Sequence, residues 1–191
     1  VVTWTWDAVR AGIRGRRPDG EGVSVQLKSG KVLSTALVIL AIGVAPNGKL
    51  AKDAGLTVNA RGGVVVDHAM RTSDPDIFAV GDVIEVEDAV SGDATMIPLA
   101  GPANKQGRIV ADVIAGRKAS YTASQGTSVV KVFELTAAAT GQNERTLIKR
   151  GLVRGKDYEA VTITQNGHAG YYPGATPMTL KMLFSMDGQK I

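Results

Sequence analysis

The sequence predicts a mixed α/β chain of short strands, and three observations carry that expectation. Strand-sized runs rich in β-branched residues recur along its 191 residues, bounded by Gly, Pro and Asp turn signals. One segment, 101–115, carries the amphipathic spacing of a helix. Strands and helices are mixed without a clean strand–helix–strand rhythm, and no internal repeat is evident.

The elements follow in chain order. The chain opens on Val1-Val2-Thr3-Trp4-Thr5-Trp6, which is strand-like from its first residue and has no initiator methionine. Residues 1–42 read as a β-meander, with Asp19-Gly20 and Ser29-Gly30 as turns between short strands such as 23–27. The run 37–42 is wholly apolar and predicts a buried strand. It ends at Gly43, and Pro46-Asn47 breaks the chain. A short helix is expected at 50–54, stopped by Gly55. Arg61-Gly62-Gly63 turns into a strand at 64–66, and Pro75 precedes an apolar strand at 77–80. Residues 85–96 read as loop.

The helix at 101–115 has Pro102 in its first turn and Gly116 at its C-terminal cap, with Ile109, Val110, Val113 and Ile114 as its apolar stripe. Residues 120–126 read as a linker. Beyond it come a strand at 129–133 and a short helix at 144–150 with Asn143 as N-cap. Strands at 161–165 and 178–184 follow. Asp187-Gly188 offers a hairpin turn whose return strand would begin at 189–191, where the sequence stops. Both ends therefore suggest a piece of a longer protein.

Composition excludes several function classes. Hydrophobic residues make up 44% of the chain, enough to bury the core of one large domain or pieces of two. The net charge is +4. The basic residues are scattered, with only loose clusters at 14–17 and 149–154, which points to a solvated surface and not to a nucleic-acid partner. The longest apolar run, 36–44, falls short of the ~18 residues of a membrane span, and no signal peptide is visible. A cytoplasmic location without membrane partners is the expectation. Having no cysteine, the chain holds no disulfide, thiolate metal site or cysteine nucleophile. The two histidines, His68 and His168, are too far apart in sequence to suggest a metal site.

The sharpest motif is Thr72-Ser73-Asp74-Pro75-Asp76-Ile77-Phe78-Ala79-Val80-Gly81-Asp82. An apolar strand delivers a Gly-Asp pair to the end of a sheet, where ligands of open α/β sheets collect. Gly81 lets a ligand approach the backbone. The Asp82 carboxylate is an acceptor suited to ligand hydroxyls and would repel a phosphate. Taken alone, a bare Gly-Asp pair favours an Asp that caps the following turn.

The full string resembles the second FAD motif of the pyridine nucleotide-disulfide oxidoreductases, in which the Asp binds the ribityl chain; here that implies Gly81 and Asp82. The segment from Leu37 through Gly43 to Asn47 resembles the stretch joining the NAD domain back to the FAD domain, which implies Gly43 near the nicotinamide cofactor. Pro98-Leu99-Ala100-Gly101-Pro102-Ala103-Asn104-Lys105-Gln106-Gly107-Arg108 resembles the segment under the flavin ring. A helix N-terminus carries unpaired N–H groups and partial positive charge. Aimed at the flavin's pyrimidine edge, it would stabilise the negative charge of reduction, with Pro98, Leu99 and Ala100 in contact. Lys105 and Arg108 read as a solvated or domain-packing face.

From Gly126 the chain resembles the family's interface domain. His168-Ala169-Gly170-Tyr171-Tyr172-Pro173-Gly174-Ala175-Thr176-Pro177 is similar to the coenzyme A disulfide reductase branch, which includes NADH oxidase and polysulfide reductase relatives. There a Tyr of this loop reaches across the dimer to the partner's redox cysteine. A phenol stays protonated at neutral pH and can donate to a thiolate. The resemblance does not distinguish Tyr171 from Tyr172, and without it a Tyr-Tyr pair favours loop packing.

The resemblance thus implies a partial FAD/NAD(P)-binding, Rossmann-like domain followed by part of an α+β dimerisation domain. Residues 1–44 would end the NAD(P)-binding domain, 45–125 would complete the FAD-binding domain, and 126–191 would begin the interface domain. The implied parent is a homodimer that uses FAD and NAD(P)H to reduce coenzyme A disulfide or a persulfide through a cysteine outside this chain. The chain by itself is expected to be inactive and not to retain FAD, because it lacks the Gly-x-Gly-x-x-Gly fingerprint and the redox cysteine. The alternatives are an NADH oxidase or peroxidase of the same family and a non-catalytic dimerisation fragment. NADH versus NADPH and the final electron acceptor stay open.

Overall fold

The computed structural model describes residues 13–16, 22–41 and 43–191. The expected opening strand, the Asp19-Gly20 turn and Ile42 lie outside the described residues. The chain divides into two units, Val1–Ala45 and Pro46–Ile191.

In the first unit, β1 (Ile13–Arg16), β2 (Val23–Gln26) and β3 (Val32–Thr35) form an antiparallel sheet in the order β1-β2-β3. The Ser29-Gly30 turn closes as expected: the Leu27 N–H donates to the Lys31 carbonyl at 2.8 Å. Val25 and Leu27 alternate into the buried face. The apolar run that follows departs from expectation. Leu37, Ile39 and Leu40 are exposed, and residues 36–41 form no strand. A buried strand needs ladder partners and a covering layer. Among the described residues nothing pairs with this run, so its side chains have no surface to bury against.

The second unit begins with the short helix α1 (Lys49–Asp53), one residue earlier than expected at each end. Its core is the cluster Met70, Ile84, Val86 and Tyr121, against which Val66, Phe78, Ala79, Val83, Ile97, Ile109 and Val110 pack. The two short strands expected here shrink to isolated bridges, Val64 pairing with Val58 antiparallel and with Ile84 parallel, and Phe78 with Arg71 antiparallel. Both backbone groups of Val64 bond the segment around Ile84: its N–H donates to the Val83 carbonyl at 2.8 Å, and its own carbonyl accepts from Glu85 N–H at 2.9 Å. The segment expected as loop holds a minimal hairpin, β4 (Val86–Glu87) with β5 (Ala94–Thr95).

Helix α2 (Ala100–Ile114) lies where the periodicity places it, and Gly116 follows with φ of +77°. Its inward face differs in membership. Ile109 and Val110 pack on the core, whereas Ile114 is 67% exposed and Gln106 is 1% exposed. At 3.6 residues per turn, Ile114 falls about 80° round the helix from Gln106, at the edge of the stripe, while Val113 falls almost beneath it.

Beyond α2, β6 (Ser128–Val132) and β7 (Leu135–Ala139) form a hairpin with every residue exposed. Helix α3 (Glu144–Lys149) starts at Asn143, whose Oδ1 accepts from Thr146 N–H at 3.0 Å. This satisfies one of the unpaired donors of a helix start. The long strands β8 (Tyr158–Asn166) and β9 (Pro177–Ser185) pair antiparallel without a register shift. The chain then turns at Asp187-Gly188, with Ser185 N–H donating to the Lys190 carbonyl at 3.0 Å, but no return strand starts at 189–191.

Candidate functional site

The Thr72–Asp82 segment is a tight turn followed by a short arm. The Thr72 Oγ1 donates to the Asp74 carbonyl at 3.0 Å, and Asp74 Oδ1 accepts from Asp76 N–H at 3.0 Å. Such side-chain bonds to nearby backbone favour turns over regular structure. The turn closes with Thr72 N–H donating to the Ile77 carbonyl at 2.9 Å. Arg71 then lies over the Phe78 ring, 5.6 Å from its centroid. Ala79 N–H donates to the Met70 carbonyl at 3.1 Å, which anchors the arm to the core.

The arm ends in a single 3-10 turn, Gly81–Val83. Gly81 has φ of +84°, a conformation that L side chains rarely adopt. The reason for Gly is this backbone angle and not crowding, since an added Cβ would reach only the Ala103 Cβ, at 3.9 Å. The Gly81 N–H donates to Gln106 Oε1 at 2.8 Å, and the Gly81 carbonyl accepts from Ile84 N–H at 3.2 Å. Asp82, the next residue, is exposed in the first turn.

Helix α2 is thereby tied to this turn through Gln106 and Ala103. Its start fits an acceptor-bearing ligand. Leu99, the N-cap, is extended with φ of −136° and offers no capping side chain, and the first turn holds no acidic residue. The amides of Ala100 and Gly101 therefore face no side-chain acceptor from the cap, and Pro102 has no N–H to satisfy. Pro98 and Ala100 are exposed and Leu99 is half-buried. The structure thus brings Gly81 and Asp82 together with α2, the helix that Pro98, Leu99 and Ala100 lead into. Gln106 is the residue that sequence reasoning missed. Its signal was a polar side chain on the inward face of an amphipathic helix, three residues before Ile109.

Gly43 belongs to the Val1–Ala45 unit. It is exposed, with φ of +82° and no heavy atom within 4 Å of an added Cβ. Tyr171 and Tyr172 stand at the tip of the β8–β9 hairpin, 84% and 61% exposed. Gly167 N–H donates to the Thr176 carbonyl at 2.9 Å, and Tyr172 N–H to the Ala169 carbonyl at 3.0 Å, which shapes the tip. The two phenol rings lie 4.9 Å apart at 39°, and the His168 ring meets Tyr172 edge-on at 6.5 Å. Lys105 and Arg108 are exposed on α2. His68 lies at the surface but is not idle: its Nδ1 lies 2.8 Å from the Tyr121 carbonyl.

One charged cluster is structural. Tyr158 Oη donates to Glu144 Oε1 at 3.2 Å, Lys181 pairs with the same carboxylate, and Arg154 Nε donates to Glu159 Oε1 at 2.5 Å. The Lys181 hydrogen bond holds the Glu144 carboxyl below its ordinary value, against the upward push of burial. Burial, and then the bond to Glu144, push the Tyr158 phenol up. Every charge here is paired, and the group ties α3 to the base of the hairpin. Among the described residues, no three His, Asp or Glu groups could hold a metal ion, and no helix is long and apolar enough to cross a membrane.

Comparison with known proteins places this geometry in context. Residues 7–107, more than half of the chain, match the model of the family described as pyridine nucleotide-disulphide oxidoreductase. A coenzyme A disulfide reductase of Staphylococcus epidermidis is 33% identical over 171 residues, 89% of this chain and 38% of its own length. The crystal structure of reduced Bacillus anthracis CoADR-RHD matches with a TM-score of 0.78 and 49% identity, covering 91% of this chain and 30% of that one. An NAD-dependent persulfide reductase from A. fulgidus matches with a TM-score of 0.79 and 34% identity, covering 92% of this chain and 32% of its own. The chain therefore spans about a third of the length of these relatives, from 30% to 38%.

Proposed function

The chain belongs to the pyridine nucleotide-disulphide oxidoreductase family, and from that premise we propose that it supplies part of the FAD site and the substrate-side tyrosine loop of an NAD(P)H-dependent reductase of coenzyme A disulfide or a persulfide. It is related to coenzyme A disulfide reductases and persulfide reductases. The observation that carries the reading is the Gly81–Asp82 turn hydrogen-bonded to helix α2 at 2.8 Å. An exposed acceptor and a helix start without a capping side chain are thereby held on one buried core.

Each residue has a role its chemistry allows. The Asp82 carboxylate accepts hydrogen bonds from the ribityl hydroxyls of FAD. The backbone at Pro98, Leu99 and Ala100, at the positive end of α2, would stabilise the negative charge that reduction places on a flavin bound there. Gly43 leaves room for the nicotinamide cofactor. Tyr171 or Tyr172 donates its O–H to a thiolate and orients the disulfide. Bound FAD supplies the two-electron relay between the nicotinamide and a cysteine, and that cysteine lies outside these 191 residues, which contain none. In sum, NAD(P)H, a proton and coenzyme A disulfide give NAD(P)+ and two coenzyme A thiols.

The domain reading follows the same premise. Residues 1–44 end the NAD(P)-binding domain, 45–125 complete the FAD-binding domain, and 126–191 open the interface domain of a homodimer.

The test uses the full-length protein that carries this chain. NAD(P)H oxidation is followed without oxygen, with and without coenzyme A disulfide. Turnover that requires the disulfide is expected. Replacing the acting tyrosine, by Tyr171→Phe or Tyr172→Phe, should then cost about 10–100-fold in turnover, the worth of a hydrogen bond to a charged group. Rapid turnover in air with none under anaerobic conditions would overturn the reading, as would full activity in the double variant.

A further inference from the structure

Gln106 makes the bond to Gly81 on which the reading above rests but is given no role of its own there, and it occupies the most protected place on helix α2. It is 1% exposed, and its Oε1 lies 2.8 Å from the Gly81 nitrogen. Its neighbours on the inward face, Ile109 and Val110, are apolar and pack on the core. An aliphatic residue would serve burial there as well, whereas a buried amide costs free energy unless it is bonded. The bond made is specific in kind. Gly81 presents an N–H, so only an acceptor at the reach of Oε1 satisfies it.

The bonded partner is also unusual. Gly81 holds φ of +84° between an extended Val80 and the exposed Asp82. Its carbonyl accepts from Ile84 N–H at 3.2 Å, and Ile84 is 1% exposed in the core. The turn is thus fixed at both ends, by the core through Ile84 and by α2 through Gln106. Ala103, one helical turn before Gln106, lies under Gly81. Helix α2 therefore meets this one glycine at two successive turns of its inward face.

We propose that Gln106 is a positioning residue for the flavin site. It locks the Gly81–Asp82 turn to the helix whose N-terminus lies at Ala100, so that the acceptor and the helix amides keep one fixed relation. The inference rests on the FAD reading given above. It assigns Gln106 no contact with the cofactor; Gln106 acts through Gly81.

The experiment compares the full-length protein carrying this chain with its Gln106→Met, Gln106→Glu and Gln106→Asn variants. Three quantities are read: the FAD dissociation constant, the visible circular dichroism of the bound flavin, and hydrogen exchange at the Gly81 amide. Methionine keeps the volume and removes the acceptor. Glutamate keeps an oxygen at the same reach. Asparagine keeps the amide and withdraws it by one methylene. A packing role predicts that Met retains FAD at least as well as Gln, and better than Glu. The positioning role predicts the opposite order. Met and Asn should bind FAD roughly tenfold more weakly, the scale of one hydrogen bond with its donor left unsatisfied, with altered flavin dichroism and faster exchange at Gly81. Glu should stay close to wild type. If Met does not fold, the Glu and Asn pair carries the same contrast.

FAD affinity in Gln106→Met equal to wild type, or Gly81 exchange unchanged, overturns the inference. Asp82→Ala separates the two levels. If that variant loses FAD while Gln106→Met does not, the inference alone falls. If the wild-type protein binds no FAD, the reading and the inference fall together.

Discussion

Around Gly81 the chain is held from two sides, by Ile84 in the core and by Gln106 on helix α2. At Tyr171 and Tyr172 the arrangement is the reverse. A long, regular hairpin carries two phenol rings outward, and their aromatic neighbours are each other and His168. The difference shows how each kind of group gets its geometry. A turn that must hold a fixed backbone angle is built into a core, where its cost is covered by packing. Side chains at a hairpin tip are placed by strand register and keep their exposure. Substitutions at the first region should therefore propagate into folding, and those along the second should remain local.

The largest expected effect tests this contrast directly. Ile84→Ala removes a side chain that is 1% exposed and should cost about 2–5 kcal/mol in urea unfolding of the full-length protein. Ile163→Ala on β8, where the isoleucine is 48% exposed, should cost less than about 1 kcal/mol. Equal losses would break the comparison. A smaller effect is expected where the hairpin base meets α3. Asn143→Ala removes the side-chain cap and should cost about 1 kcal/mol, measured the same way, with Asn143→Ser recovering most of it.

The smallest effect is a pH dependence. The Glu144 carboxyl is held low in the folded protein, first by Lys181. The folded state therefore binds a proton less readily at this site than the unfolded chain does. Its contribution is complete above the ordinary carboxylate range and is lost as the pH falls through the lowered folded-state value. Asp88 adds to the same acid limb: burial works to raise it, and hydrogen bonds from the backbones of Ser91 and Val90 and the side chains of Gln142 and Ser91 outweigh that and lower it. Unfolding midpoints measured as the pH is lowered through the carboxylate range should fall less steeply in Glu144→Gln than in wild type. An unchanged slope would remove Glu144 from the acid limb.

What was legible in the sequence was local. Helix α2, the Asn143 cap and the β8–β9 pair each announce themselves within a few residues, through period, capping chemistry or alternation. The features that escaped depend on partners far along the chain. The run at 37–41 has the composition of a buried strand, yet burial needs neighbours that composition does not supply. Ile77 and Val80 belong to an apolar run, but among the described residues one bridge, from Phe78 to Arg71, is all the pairing that arm makes. Gln106 carried no signal of its bond in the sequence because its partner, the Gly81 amide, lies 25 positions earlier. The motif at Gly81-Asp82 stood out by its string, while the bond that shapes it did not.

The measurement closest to the central claim is FAD retention by the full-length protein that carries this chain, wild type against Asp82→Ala. Stoichiometric flavin is expected in the wild-type protein, and binding roughly 10–100-fold weaker once the carboxylate is removed, the worth of a charged hydrogen-bond acceptor. Unfolding in urea should be unchanged, because Asp82 is exposed. Equal FAD affinity in the two proteins would contradict that claim and take Asp82 out of the site.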